Sequence, residues 1–427
     1  MRARVISISL LLQFFILLVV AARPLAAQYP QEGPPRVYAI KAGKLVDPEK
    51  GETQTNQIIL VRGTKIEAVG PNLTIPSEAK IIDLSKSTVL PGLFDAHTHL
   101  CMTTKKERDG TDYFITTLMD STPYRAIEGV ANARDMLAAG FTTVRDVGNA
   151  GNYADTALRS AIERGVVPGP TMINAGRIIA PYGGQFHLQP EKRDLATPEY
   201  AFADTHDEMI KAIHENIHYG ATVIKIVVDD QKYIYSVDDI RFMVEEAHRD
   251  GLKLAAHCWT RAGARNAAEA GVDSIEHGQM MTDDDLRLAR KNHVVLVGTD
   301  FTEFAARENG FPELHAVFVD RLKRAYQIGV TMAFGTDAFM SVPGETRGTQ
   351  AAEYVDSWVE AGVPAKDTLR AMTVNAARLL GVDAARGEIR PGLAADIIAT
   401  PENPLDDIQA VRHVSFVMKD GSVFKSE

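Results

Sequence analysis

Cysteine is nearly missing from this chain of 427 residues, which holds Cys101 and Cys258 and no other. A dense disulfide framework is therefore excluded. Each cysteine closely follows a histidine at the end of an apolar run, on strands read as the first and fifth of a barrel. Facing positions across a barrel are too far apart for a disulfide, so both read as free, buried thiols. Cationic charge is also short: 46 lysines and arginines stand against 56 acids, a net charge of −10. That balance excludes nucleic-acid binding through the phosphate backbone. Internal repeats and low-complexity segments are missing too. What remains has the 45% apolar and 24% charged content of an ordinary globular protein.

Residues 1–27 stand apart. Arg2 and Arg4 precede an apolar run from Val5 to Ala22, and Leu25-Ala26-Ala27 resembles a small-residue cleavage site. The segment reads as a signal peptide, with an uncleaved membrane anchor as the alternative. Either way the body is expected to be exported, periplasmic or secreted, and free of the membrane once the leader is gone. Without the leader, 43 basic residues face 56 acidic ones, a net of −13.

From Val37 to Val89 short strands and turns follow one another, with Arg62-Gly63-Thr64 as a hairpin connection. The C-terminal LAADIIAT and FVMKDGSVFK have the same texture, with Asp420-Gly421 as a second hairpin signal. Residues 37–89 and 386–427 are expected to share one small composite β-sandwich domain. Between them, residues 90–385 alternate strands and helices. After LPGLFDAHTHL the strand candidates are 141–148, 170–176, 222–228, 252–258, 272–278, 293–299 and 330–337. Eight such runs with helices between them predict an α/β fold, a parallel (β/α)8 TIM barrel.

The chemistry-bearing residues fall at the C-terminal ends of these runs. Alternation along FDAHTHL aims His97 and His99 at one face. Lys225 lies in TVIKIVV, His257 in LKLAAHC, His277 in VDSIEHG and Asp337 in TMAFGTDA. Barrel enzymes build their active sites at this rim. Neutral imidazoles and carboxylates hold zinc and similar divalent ions, and a pair of such ions activates water and polarises a carbonyl. Four imidazoles, one carboxylate and one lysine therefore point to a two-metal hydrolase. A free ammonium repels metal ions, so Lys225 needs either a modification or another purpose.

LPGLFDAHTHL, the strand-four lysine, AAHC, SIEHG, FGTDA and the closing PGLAADII occur in the order of the amidohydrolase superfamily. From Val37 to Phe424 the chain resembles its metal-dependent hydrolases, in particular those similar to imidazolonepropionase and bacterial Xaa-Pro dipeptidases. The resemblance implies two divalent metal ions, zinc being expected, and a CO2-derived carbamate on Lys225 that bridges them. It implies His97, His99 and Asp337 as ligands of the first ion, and His257 and His277 as ligands of the second. Asp337 would also act as general base and then general acid. A metal-bridging hydroxide would attack the amide bond to a C-terminal amino acid, as in Xaa-Pro dipeptides or N-acyl amino acids. Relatives assemble, so a homo-oligomer acting on a small-molecule amide or peptide is expected. In dipeptidase-like relatives a tyrosine from the loop after the lysine engages substrate, which makes Tyr233 and Tyr235 candidates, with Lys232 for the carboxylate. This chain departs from them in carrying Val228-Asp229-Asp230, two acids that oppose an anionic substrate unless paired.

Other features weigh less. His187, in the Gly-rich PYGGQFHLQ connection, reads as a substrate or lid contact. His214 and His218 share one helix face without a Glu-x-x frame and read as a wet outer surface. Arg145-Asp146 reads as an internal ion pair below the site. The rival functions are hydrolysis of ochratoxin-like or cyclic amides, phosphotriester hydrolysis, and a membrane-tethered binding protein without catalysis.

Overall fold

A computed structural model describes residues 36–427 other than Thr111, which form one compact unit. The leader reading falls on residues 1–27, outside the described residues. No helix among the described residues is long and apolar enough to cross a membrane.

Strands from both termini join in one seven-stranded sheet. Val37–Asp47 pairs antiparallel with Glu52–Arg62 and parallel with Lys80–Pro91. Ile397–Thr400 then pairs antiparallel with Lys80–Pro91. Gly63, at φ 59°, turns the chain from Glu52–Arg62 into Lys65–Gly70. Asp420 and Gly421, at φ 44° and 69°, join Phe416–Lys419 to Ser422–Ser426. Two successive left-handed residues match the right-handed twist of the strands, as a two-residue hairpin requires. Ile40, Ile59, Val61, Ile397, Phe416 and Met418 give this sheet its own apolar core.

Seven of the eight expected parallel runs are strands: Leu93–Thr98, Phe141–Asp146, Thr171–Asn174, Val223–Val227, Lys253–Cys258, Ser274–His277 and Val295–Val297. The eighth is a correction. Residues 330–337 make only the single bridge Met332–Leu296. Ala333 N–H donates to Leu296, and Phe334 then accepts from Ala96 on the opposite side. The pairing stops there because Thr336 N–H donates to Asp95 Oδ1 and the Ala96 carbonyl accepts from Arg145 Nε.

Helices cover these strands. Thr205, Ser236 and Thr282 each close a capping box at the start of His206–His218, Val237–Arg249 and Asp283–Lys291, satisfying backbone donors that the helix leaves free. Gly271 and Gly329, both left-handed, end Arg261–Ala270 and Leu314–Ile328. A continuous apolar core lies between strands and helices, and Cys101 and Cys258 are buried in it as free thiols.

Candidate active site

His97, His99, Lys225, His257, His277 and Asp337 all line one cavity of about 550 Å³. His97 and His99 reach it from the Leu93–Thr98 strand and its end, both on the face that alternation assigns them. His277 and Asp337 arrive by another device. Both adopt left-handed backbone, at φ 66° and 56°, as do Asp230 and Thr299 beside them. Such conformations cost about 1–3 kcal/mol each in non-glycine residues and collect at functional sites.

The ring nitrogens are held in defined states. His99 Nδ1 lies 2.7 Å from the Gly148 carbonyl, which only accepts, so Nδ1 carries the proton. His97 Nδ1 lies 2.7 Å from Glu276 Oε2. Burial pushes Glu276 up, but Arg145 and His97 more than offset it, and the carboxyl stays ionised. Burial brings His97 down to about 3, so its single proton sits on Nδ1 as well. His97 Nε2 therefore turns a lone pair toward Asp337 Oδ1, 3.7 Å away, and His99 Nε2 lies 3.2 Å from the same oxygen. A lone pair aimed at a carboxylate is repelled unless a cation sits between them. His277 is also driven far below its ordinary range by burial and neighbouring imidazoles, and Thr299 Oγ1 fixes its Nδ1 at 2.8 Å. Ligand atoms of His97, His277 and Asp337 lie within 4.8 Å of one another. His257 Nε2 is buried with no hydrogen-bond partner, although Asp230 Oδ2 stands 2.9 Å away. That separation is short but off the line a hydrogen bond needs. The donor set fits divalent cations.

Lys225 is buried, and burial lowers its amine to about 8. A free amine is then accessible near neutrality, which an ordinary lysine does not offer.

Beneath the ligands is a layer that sequence reasoning missed. Arg145 Nη2 donates to Glu276 Oε1 at 2.7 Å, and its Nε donates to the Ala96 carbonyl. The expected Arg145–Asp146 pair does not form, because neighbours in a strand face opposite sides. Asp146 instead accepts from Leu100 N–H. Asp95 accepts from His97 N–H, Thr336 N–H and Thr336 Oγ1, tying the two strand ends together.

The substrate-contact expectations divide. His187 lines the cavity at its mouth. Tyr233 and Tyr235 do not, and here the structure corrects the expectation. The Tyr235 hydroxyl is buried and donates to the Ala203 carbonyl, while Tyr233 donates to the Tyr182 carbonyl. Lys232 is exposed outside the cavity. Both tyrosines are used in holding loops together. The aromatic wall comes from Tyr113, Trp259, Phe301, Phe311 and Phe339, which no short motif marks. His214 lies exposed on its helix, 3.0 Å from Glu246, and His218 is exposed.

The chain is 29% identical to ochratoxinase from Aspergillus niger, over 94% of this chain and 89% of that one. It is 24% identical to imidazolonepropionase from Alkaliphilus metalliredigens, over 86% and 89%. Its fold superposes on a crystal structure of a Xaa-Pro dipeptidase with bound methionine at a TM-score of 0.80. That likeness covers 91% of this chain and all of the other, at 27% identity. The amidohydrolase family model matches residues 88–424, and the chain belongs to that family of hydrolytic enzymes.

Proposed function

We propose that the protein is an exported, homo-oligomeric, binuclear amidohydrolase that cleaves the amide bond to a C-terminal amino acid, in a dipeptide or an N-acyl amino acid. The observation that carries this is the convergence of four imidazoles, Asp337 and Lys225 in one cavity. His97, His99 and Asp337 would hold one ion, and His257 and His277 the other, with a carbamate on Lys225 as a further anionic ligand. Bound divalent ions supply an activated water and a Lewis acid for the scissile carbonyl. Asp337 takes the proton of the attacking water and delivers it to the leaving nitrogen. Glu276 and Gly148 hold Nδ1 of His97 and His99, so that the Nε2 of each ring faces the site. The aromatic wall excludes water and favours a bulky apolar substrate. Likeness to a Xaa-Pro dipeptidase supports a dipeptide, and likeness to ochratoxinase supports an ochratoxin-type amide.

Residues 90–385 are taken as a (β/α)8 barrel, with residues 330–337 as its eighth stave. Hydrogen bonds to Leu296 and to Ala96 on either side of that segment, and from Thr222 N–H to the Asn174 carbonyl, support closure. Residues 37–89 and 386–427 are taken as the composite β-sandwich.

The test is hydrolysis by metal-reconstituted residues 28–427 of Xaa-Pro, Xaa-Arg and Xaa-Phe dipeptides, N-acyl amino acids including ochratoxin A, a hydantoin and a phosphotriester. Release of a free amino acid is expected, fastest from apolar members. Turnover of the hydantoin or phosphotriester alone would overturn the substrate class. Lys225→Ala should lose most activity and at least one metal, with partial rescue by acetate. Full metal content at the wild-type rate would end the carbamate reading.

A further inference from the structure

Asp229 and Asp230 follow the same strand, yet their carboxylates meet different surroundings. Asp229 is fully buried and saturated: Oδ1 accepts from Trp259 N–H, and Oδ2 from Thr260 N–H and Oγ1. Asp230 has left-handed backbone, at φ 78°, and lines the active-site cavity. The Tyr200 hydroxyl donates to Gln185 Oε1 at 2.7 Å, which orients the amide so that Nε2 donates to Asp230 Oδ2 at 2.8 Å. Among the described residues this is the only hydrogen bond to the Asp230 carboxylate, and Oδ1 is left without a donor. Gln231 Nε2, donating to the Gly184 carbonyl, staples the same two loops a second time. The carboxylate is thus tied down through Oδ2, while its Oδ1 has no donor.

Of the side chains lining the cavity, the His257 and His187 imidazoles act on that charge, and His257 is claimed by the metal site. Asp112 and Asp337 also line the cavity, Lys225 is its one lysine, and no arginine lines it among the described residues. Asp230 Oδ2 stands 2.9 Å from His257 Nε2, at the edge of the reaction centre. In a dipeptide the α-ammonium is two bonds from the scissile carbonyl carbon, so a carbonyl held at that centre brings the ammonium to this edge.

We propose that Asp230 is a specificity-determining residue that binds the α-ammonium of the substrate, so that the enzyme selects free dipeptides over N-acyl amino acids. The inference rests on the amide-hydrolase reading and narrows it. An ammonium supplies three donors to a carboxylate that lacks them. An acyl chain without it leaves that acceptor unpaired, so discrimination arises by rejection as much as by attraction.

The test compares leucyl-phenylalanine with 4-methylpentanoyl-phenylalanine, which has the same shape but no ammonium. Metal-loaded wild type should favour the dipeptide by about tenfold or more in kcat/KM. In Asp230→Asn the preference should shrink by about tenfold, chiefly through KM, with metal content at the wild-type level. An unchanged preference would overturn the proposal. So would equal losses on both compounds with metal lost, since Asp230 would then act through His257. Should wild type turn over neither compound, the amide reading falls, and calorimetric binding of the same pair still decides the role of Asp230. Discrimination in wild type that disappears in the variant supports it, and equal or absent binding overturns it.

Discussion

Glu276 fixes the proton of His97 on Nδ1. One oxygen accepts from His97 and the other from Arg145, all three side chains being buried. Replacing it by glutamine removes the charge that both partners depend on. Glu276→Gln should weaken metal binding by about 10- to 100-fold, the usual effect of losing a group that orients a ligand. It should also destabilise the fold by roughly 3–5 kcal/mol, because Arg145 is left buried without its counter-charge. Metal titration and urea unfolding would read the two effects, and wild-type values in both would remove Glu276 from this role. The residue lies in plain view in SIEHG, yet its part was not legible there. In an extended strand Glu276 and His277 face opposite sides, so one motif cannot send both to the site. The left-handed backbone of His277 removes that restriction. Likewise, His97 and His99 were legible because their strand is regular. Tyr233 and Tyr235 were misplaced because a loop carries no periodicity to aim them.

At the scale of elements, the segment before Asp337 shows what irregular backbone requires. It crosses the Leu93–Thr98 strand so closely that a Cβ on Gly335 would stand 2.9 Å from His97 Cβ and 2.4 Å from Val297 Cγ1. Gly335→Ala must displace either the strand that carries His97 or the segment that carries Asp337. A loss of about 1–3 kcal/mol is expected, as for overpacking elsewhere, with weakened metal uptake. Thermal unfolding and metal content would measure it, and a variant equal to wild type in both would show that the crossing is loose. Seven of the eight runs were correctly read as strands, because buried parallel strands are continuous apolar stretches bounded by turns. The eighth has that texture too, but side chains of Asp95 and Arg145 take the backbone groups that would continue its pairing.

For the whole molecule, the two ends of the chain depend on each other. The Lys80–Pro91 strand runs through Gly92 directly into Leu93–Thr98, so the terminal sheet leads into the element that carries His97. Ile397–Thr400 covers its other edge, with Ile397 opposite Pro91 and Thr400 opposite Thr88. Deleting residues 397–427 removes Ile397, Ile398, Phe416, Val417 and Met418, all essentially fully buried. At about 1.5–3 kcal/mol for each buried apolar side chain, the loss matches the entire stability of an ordinary domain. The truncated chain should fail to fold, as judged by circular dichroism and soluble yield. A soluble variant that still loads metal would show that the barrel region is independent.

The sequence by itself determined the alternation of strands and helices, the pairing of both termini in one β-rich region, the two hairpins and the six residues, at or near the ends of apolar runs, that line one cavity. All of these follow from local periodicity, turn chemistry and residue type. Only the tertiary structure decided that Glu276 rather than Asp146 faces Arg145, that Asp230 faces the cavity while Asp229 is saturated, and which aromatic side chains form the wall. Those outcomes depend on left-handed backbone and on contacts between residues far apart in the chain, such as His97 with Glu276, 179 positions away. No local pattern encodes them.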